Sequence, residues 1–315
     1  MRAAKLDPDL AAAIAEIESL GPPAWSDLSV EAARDLEDDL FSGPPEPPVA
    51  DVRDLAFDGP HGEVPVRVYR PESAVDDSAE SRALVHCHGG GWTLGTLDSV
   101  DGICRELATR ADAVVVSVDY RLAPEHPFPV AVDEAAAAVA WVAETADSLG
   151  VDSDRIGVSG TSAGGALAVA ASLRAREFGD LPEPAGQFLL YPIAGYDFET
   201  DSYRENADGP LLTRADMKWF YDQYLRSPVD AANPYAVPLR APNLGALPTA
   251  TVVTAGFDPL RDDGVALAER FEREGTPVEH RHYPAMAHGF CSLADRVDVA
   301  EAALSAVAAD VRERL

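Results

Sequence analysis

Gly160-Thr161-Ser162-Ala163-Gly164 divides two stretches of opposite character. Residues 155–159 (RIGVS) are short and β-like, whereas residues 165–173 (GALAVAASL) are rich in alanine and helix-prone. A G-x-S-x-G at such a junction predicts a tight strand–turn–helix. Small residues are needed where strand and helix nearly touch, and the serine hydroxyl projects from the sheet toward a helix N-terminus. The five residue types are common ones; their place between strand and helix makes Ser162 a candidate nucleophile.

The rest of the chain fits such a junction. Strands are predicted over 52–57 and 64–69, paired around Gly59-Pro60-His61-Gly62, and over 83–88, 113–118, 187–191, 249–255 and 278–283. Helices are predicted over 103–111, 130–149, 264–274 and 300–314. With the serine strand this makes eight strands. Near-continuous apolar strands alternating with helices imply an α/β fold with a mostly parallel sheet covered on both faces. The first fifty residues differ. Leu10, Ala13, Ile14, Ile17 and Leu20 have helical spacing after a capping Asp7, and a second helix over 29–40 follows Ser29. Gly43-Pro44-Pro45-Glu46-Pro47-Pro48 stops both, which sets an N-terminal helical segment (1–50) apart from a main domain (51–315). Residues 197–240 interrupt the alternation with one helix over 214–225 between loops rich in Pro, Asp and Asn. This insertion is expected to join the N-terminal helices in a lid.

Charge narrows the partners. Across 315 residues, 54 acids face 25 basic residues for a net charge of −29, and the only lysines are Lys5 and Lys218. The acids are scattered, as in Asp35-Leu36-Glu37-Asp38-Asp39, rather than gathered in a tail. Uniform negative charge disfavours nucleic acid and anionic membranes as partners and strains the compact state by self-repulsion. Scarce lysine and scattered acids resemble proteins of extreme halophiles, which implies a halophilic protein of a salt-rich cytosol where counter-ions screen that repulsion; a merely acidic, soluble protein is the alternative. No apolar run approaches the ~18 residues of a membrane span, and the N-terminus shows no apolar secretory region. Cys87, Cys104 and Cys291 are odd in number and widely spaced, so neither a zinc site nor a disulfide framework is expected. The expectation is a cytoplasmic protein without membrane attachment; a homo-oligomer is compatible with it.

A serine nucleophile needs a base, an acid to orient the base, and donors for an oxyanion. Of the seven histidines, His288 lies in a loop of small neighbours after the last strand, where a ring can reach back to the serine. His280 and His282 share a strand face, but nothing near them completes a metal site; His86 and His88 belong to a buried strand, His61 to a hairpin turn and His126 to a proline-rich loop. Asp258 directly follows a strand and precedes Pro259; its rivals Asp262 and Asp263 open a helix, where capping is the expected task. The three glycines of His88-Gly89-Gly90-Gly91-Trp92 let backbone N–H groups point into a site, and the Ala163 N–H at a helix N-terminus adds a donor.

Five ordered motifs resemble the hormone-sensitive-lipase-like carboxylesterases, bacterial lipase family IV of the α/β-hydrolase superfamily. They are His88-Gly89-Gly90-Gly91-Trp92, residues 119–129 (DYRLAPEHPFP), Gly160-Thr161-Ser162-Ala163-Gly164-Gly165, Asp258-Pro259-Leu260 and His288-Gly289-Phe290. The resemblance implies an α/β-hydrolase fold with a helical cap built from residues 1–50 and 197–240, and a braced polar turn at 120–129. It implies Ser162, Asp258 and His288 as catalytic triad, in the chain order of that fold. It further implies Gly90, Gly91 and Ala163 as oxyanion donors. Many members carry Asp before the nucleophile; Thr161 here resembles a Thr-Ser-Ala-Gly subgroup. The expected activity is serine carboxylester hydrolysis of short- to medium-chain neutral esters, with no metal or organic cofactor. An amidase or deacetylase on the same triad and a non-catalytic small-molecule receptor are the alternatives. Tyr191, Tyr196, Phe198, Trp219, Phe220 and Tyr224 are candidate pocket walls, although aromatics so spaced more often fill a core.

Overall fold

The computed structural model describes residues 1–44, 46–74, 81–179 and 181–315. Within them one sheet holds β1 (Asp51–Gly59), β2 (Gly62–Arg70), β3 (Ser81–Cys87), β4 (Val114–Val118), β5 (Val151–Thr161), β6 (Gly186–Leu190), β7 (Thr249–Phe257) and β8 (Val278–Ala287). The helices are α1 (Pro8–Ser19), α2 (Val30–Phe41), α3 (Asp101–Ala111), α4 (Val130–Glu144), α5 (Ala146–Leu149), α6 (Ala163–Phe178), α7 (Asp201–Glu205), α8 (Arg214–Tyr224), α9 (Arg261–Glu274) and α10 (Asp298–Arg314). The strand order is β1-β2-β4-β3-β5-β6-β7-β8. β1, β2 and β4 are antiparallel neighbours, and every pairing from β4 across to β8 is parallel.

Alternation along each strand builds two apolar cores. Val114, Val116 and Val118 of β4 enter one core with Val139 of α4 and Leu167 of α6. Val115 enters the other with Leu107 of α3 and Leu304 of α10. Burying each such side chain stabilises the fold by about 1.5–3 kcal/mol, which explains why strands covered on both faces are apolar throughout.

The helices at the chain start have the expected caps. Asp7 accepts from the N–H groups of Asp9 and Leu10 at the start of α1, and Ser29 accepts from the Ala32 N–H at the start of α2. The N-terminal segment and the insertion meet: the Trp25 indole donates to the Leu211 carbonyl at 3.2 Å, and the Ser26 N–H donates to Asp216 at 2.9 Å.

Four local expectations are corrected. The helix expected over 130–149 breaks at Thr145, whose backbone leaves the helical region at φ −106° and ψ 14° while its hydroxyl donates to the Trp141 carbonyl at 2.6 Å. β8 runs beyond residue 283 through Pro284 to Ala287, because its pairing with β7 shifts between Ala255 and Phe257 and resumes at Ala287. β8 lies at the edge of the sheet, where a proline is tolerated. The insertion holds the short helix α7 besides α8, capped by Thr200. Asp262 and Asp263 do not cap α9, whose N-cap Leu260 has no side-chain cap bond. They reach outward instead, Asp262 accepting from the Ser202 N–H of α7 at 2.7 Å and Asp263 from the Gly195 N–H at 2.8 Å.

Candidate active site

Four connections leave the C-terminal ends of β3, β5, β7 and β8, the edge where ligands bind in parallel α/β sheets. β5 turns into α6 at Ser162, held at φ +52° and ψ −113°. The turn is as tight as the sequence requires: a Cβ on Gly160 would stand 2.1 Å from the Gly164 carbonyl carbon, and one on Gly164 would stand 1.9 Å from the Cys87 carbonyl oxygen. Only glycine fits at either position, so the two glycines fix how closely α6 approaches β3 and β5.

The residue after β7 is Asp258 and the residue after β8 is His288. His288 Nδ1 lies 2.9 Å from Asp258 Oδ2, and His288 Nε2 lies 3.0 Å from Ser162 Oγ. A carboxylate can only accept, so Nδ1 carries the proton and Nε2 presents a lone pair to the serine hydroxyl. Asp258 is fully buried, and its other oxygen accepts from the Leu260 N–H at 2.8 Å. Tyr191 packs edge-on to the His288 ring at 5.0 Å. The three side chains therefore form one hydrogen-bonded line assembled from three strand ends.

After β3 the chain runs through His88-Gly89-Gly90-Gly91, and Gly89 to Gly91 line the same cavity as Ser162 and His288. Gly90 and Gly91 adopt φ +96° and +58°. Their N–H groups donate to no protein acceptor among the described residues, while the Gly90 carbonyl accepts from the N–H groups of Thr93 and Leu94. Ala163 opens α6, where the first N–H groups have no intrahelical partner. The 120–129 turn braces this loop. The Tyr120 hydroxyl donates to the His88 carbonyl at 3.0 Å, its ring stacks on His88 at 4.2 Å, and the Ala123 N–H donates to the Trp92 carbonyl at 2.8 Å.

Among the described residues none of the other histidines bonds Ser162 or Asp258, although His88 also lines the cavity. Burial and the neighbouring His88 push His86 down to about 3, and burial pushes His88 down to about 4, so both are neutral core residues. His280 and His282 both bond the Thr254 hydroxyl, at 2.8 and 2.9 Å. Among the described residues no group of His, Cys, Asp and Glu is assembled to hold a metal ion, and no helix is long and apolar enough to cross a membrane.

Of the six aromatic candidates, Tyr191 and Phe220 line the cavity. Tyr224 is core, stacked on Trp92 at 4.0 Å, and Tyr196 and Phe198 pack edge-on to Tyr221. The sequence reading missed Trp25 and Phe41 from the N-terminal segment, and Glu37, which lines the cavity instead of facing solvent with its acidic neighbours. The signal for Glu37 was present: Ala33, Glu37 and Phe41 recur every four residues, one stripe of a helix.

A family model described as alpha/beta hydrolase fold matches residues 84–292. The chain is 43% identical over 278 residues to esterase LipI of Mycobacterium tuberculosis, covering 87% of this chain and 85% of that protein. The chain belongs to the hormone-sensitive-lipase-like carboxylesterases. This carboxylesterase is also 34% identical over 319 residues to an ethyl acetate hydrolase of Pseudomonas putida, covering 98% and 99% of the two chains. It superposes on the hyperthermophilic esterase of the archaeon Pyrobaculum calidifontis with a TM-score of 0.91, at 36% identity and with 98% of each chain covered.

Proposed function

We propose that this carboxylesterase works through Ser162, His288 and Asp258, and that the hydrogen-bonded line joining them carries the assignment. Ser162 Oγ attacks the ester carbonyl carbon as His288 Nε2 takes its proton. The carbonyl oxygen becomes an oxyanion facing the N–H groups of Gly90, Gly91 and Ala163, each contributing about 3 kcal/mol to its stabilisation. Collapse breaks the bond to the alcohol, which leaves with the proton from His288. Water then attacks the acyl-serine by the same route, and Asp258 holds the ring and balances its charge throughout. Residues 1–50 and 197–240 act as the cap over residues 51–315, a division supported by the Trp25 and Ser26 contacts across it.

The substrates are short- to medium-chain neutral esters, a reading supported by the likeness to an ethyl acetate hydrolase. Three buried thiols without a disulfide are in keeping with a cytoplasmic setting, and the net charge of −29 with a salt-rich one.

The test is hydrolysis of p-nitrophenyl esters of rising acyl length, with matched amides, in molar KCl. Wild type should favour the shorter esters over the longer ones and over amides. Ser162→Ala should lose roughly 10^5- to 10^6-fold in kcat and should not be labelled by a fluorophosphonate. Retention of most activity by that variant would place the nucleophile elsewhere. A folded wild type inert to every ester and to the fluorophosphonate would favour the receptor reading.

A further inference from the structure

The cavity around Ser162 has mostly apolar walls, among them Trp25, Phe41, Leu94, Met217 and Phe220. One carboxyl interrupts them. Glu37 of α2 lies between Ala33 and Phe41 on the inward stripe and is only 9% exposed. Its Oε2 is buried and has no hydrogen-bond partner among the described residues. Neighbouring Asp38 shows the alternative open to an acid on this helix, accepting from the Thr96 hydroxyl at 3.0 Å at an exposed position. Burial pushes the Glu37 carboxyl up to about 7 against the opposing pull of the Ser99 hydroxyl and the Gly95 N–H. Near neutrality it is present in both forms, and each form offers an acceptor oxygen.

A carboxyl set in a mostly apolar wall with one oxygen unpaired opposes folding. An aliphatic residue would complete the stripe at no such cost. What the carboxyl adds is acceptor capacity in the wall of the cavity around Ser162.

We propose that Glu37 is a specificity-determining residue, accepting a hydrogen bond from a hydroxyl or ammonium group carried on the substrate several atoms from its scissile carbonyl. The proposal rests on the carboxylesterase reading with Ser162 as nucleophile. A site that holds a polar acceptor discriminates against the analogue lacking the donor, because that analogue leaves the acceptor buried and unpaired.

Two pairs of esters test it. Methyl hexanoate and its ω-hydroxy derivative put the donor on the acyl side; hexyl acetate and its ω-hydroxy derivative put it on the alcohol side. The readout is the ratio of kcat/KM within each pair, which does not depend on the fraction of folded enzyme. Wild type should favour the hydroxylated member of one pair by roughly tenfold, and that pair identifies the side. Glu37→Leu should invert the preference, while Glu37→Gln, which keeps a neutral acceptor, should retain most of it. An ω-amino ester should be favoured by wild type and disfavoured by Glu37→Gln. Ratios equal in wild type and Glu37→Leu, with both esters hydrolysed, would overturn the assignment of Glu37 and leave the hydrolase reading intact. Wild type inert to all four esters would overturn both.

Discussion

Ser162 occupies a backbone region that L-residues reach only under constraint, at about 1–3 kcal/mol. Its own peptide groups hold it there. The Ser162 N–H donates to the Leu190 carbonyl at 2.9 Å, and its carbonyl accepts from Gly165 at 3.0 Å and Ile193 at 3.1 Å. This turn was legible in the sequence because its determinants are adjacent residues, Gly160 to Gly164. Asp258 and His288 were legible for a related reason, since each lies in the short segment after a strand that its own residues announce. Asp263 was not, because its task depends on a loop nearly seventy residues away in the chain. Burial raises its carboxyl from 3.8 to about 7, despite the N–H groups of Gly195 and Ala194. The sign of the pH effect follows. Between about pH 4 and about pH 7 the unfolded chain releases this proton while the folded chain keeps it, so the contribution to stability falls as pH rises. Asp263→Asn removes that dependence. The stability of the variant relative to wild type should grow by on the order of 3 kcal/mol between about pH 5 and about pH 8, measured by denaturant unfolding at both pH values. A gap that shrinks as pH rises would identify ionised Asp263 as a net stabiliser.

Among the elements, the strands were the easiest to read, because β3, β4, β6 and β7 are buried on both faces along most of their length and their apolar runs need no partner to be recognised. Breaks and additions were harder. The end of α4 is a single residue, Thr145, turned out of the helical region, and α7 is a five-residue helix tied down by Asp262 and by Pro259, whose carbonyl accepts from the Ser202 hydroxyl at 2.7 Å. Periodicity also gave α2 its length and cap but not its destination. One arginine fixes that destination. Arg34 donates to the Thr93 carbonyl at 2.9 Å, to the Ala123 carbonyl at 3.0 Å and to both carboxylate oxygens of Glu125. It thereby ties α2 to the loop that follows Gly91 and to the turn that braces it. The planar fork bonds four oxygens at once, one more than the three N–H donors of an ammonium can reach. Arg34→Ala and Arg34→Lys should each destabilise the fold by about 1–3 kcal/mol, read from unfolding midpoints. Both should raise KM for a short ester more than they lower kcat, because Ser162, His288 and Asp258 are untouched. A fall in kcat with KM unchanged would mean that the clamp acts on the loop of Gly89 to Gly91 rather than on the walls of the cavity.

For the whole molecule, the two-sided core was foreseeable and the charge was the open question. The 25 basic residues cannot neutralise 54 acids one to one. Arginines are shared instead: Arg67 contacts Asp54 and Asp98, Arg110 contacts Glu106 and Glu301, and Arg261 contacts Glu205 and Asp262. Sharing leaves each cluster net negative. The arginines are largely covered but most of their acids reach solvent, and surface pairs contribute only about 0–1 kcal/mol each, too little to offset repulsion summed over the surface. Screening does so over a distance set by salt, about 10 Å at 0.1 M and about 3 Å at 1 M. The melting temperature should therefore rise by roughly 5 °C or more between low salt and molar KCl, most of it at concentrations where the screening length falls below the spacing of surface charges. An equimolar gain in sucrose would point to solvent exclusion instead of screening, and a melting temperature independent of KCl would remove salt adaptation as the explanation of the acidic surface. If the effect is screening, replacing exposed acids outside the ion pairs, such as Asp39 and Glu31, by lysine should raise the low-salt melting temperature and reduce the further gain from KCl.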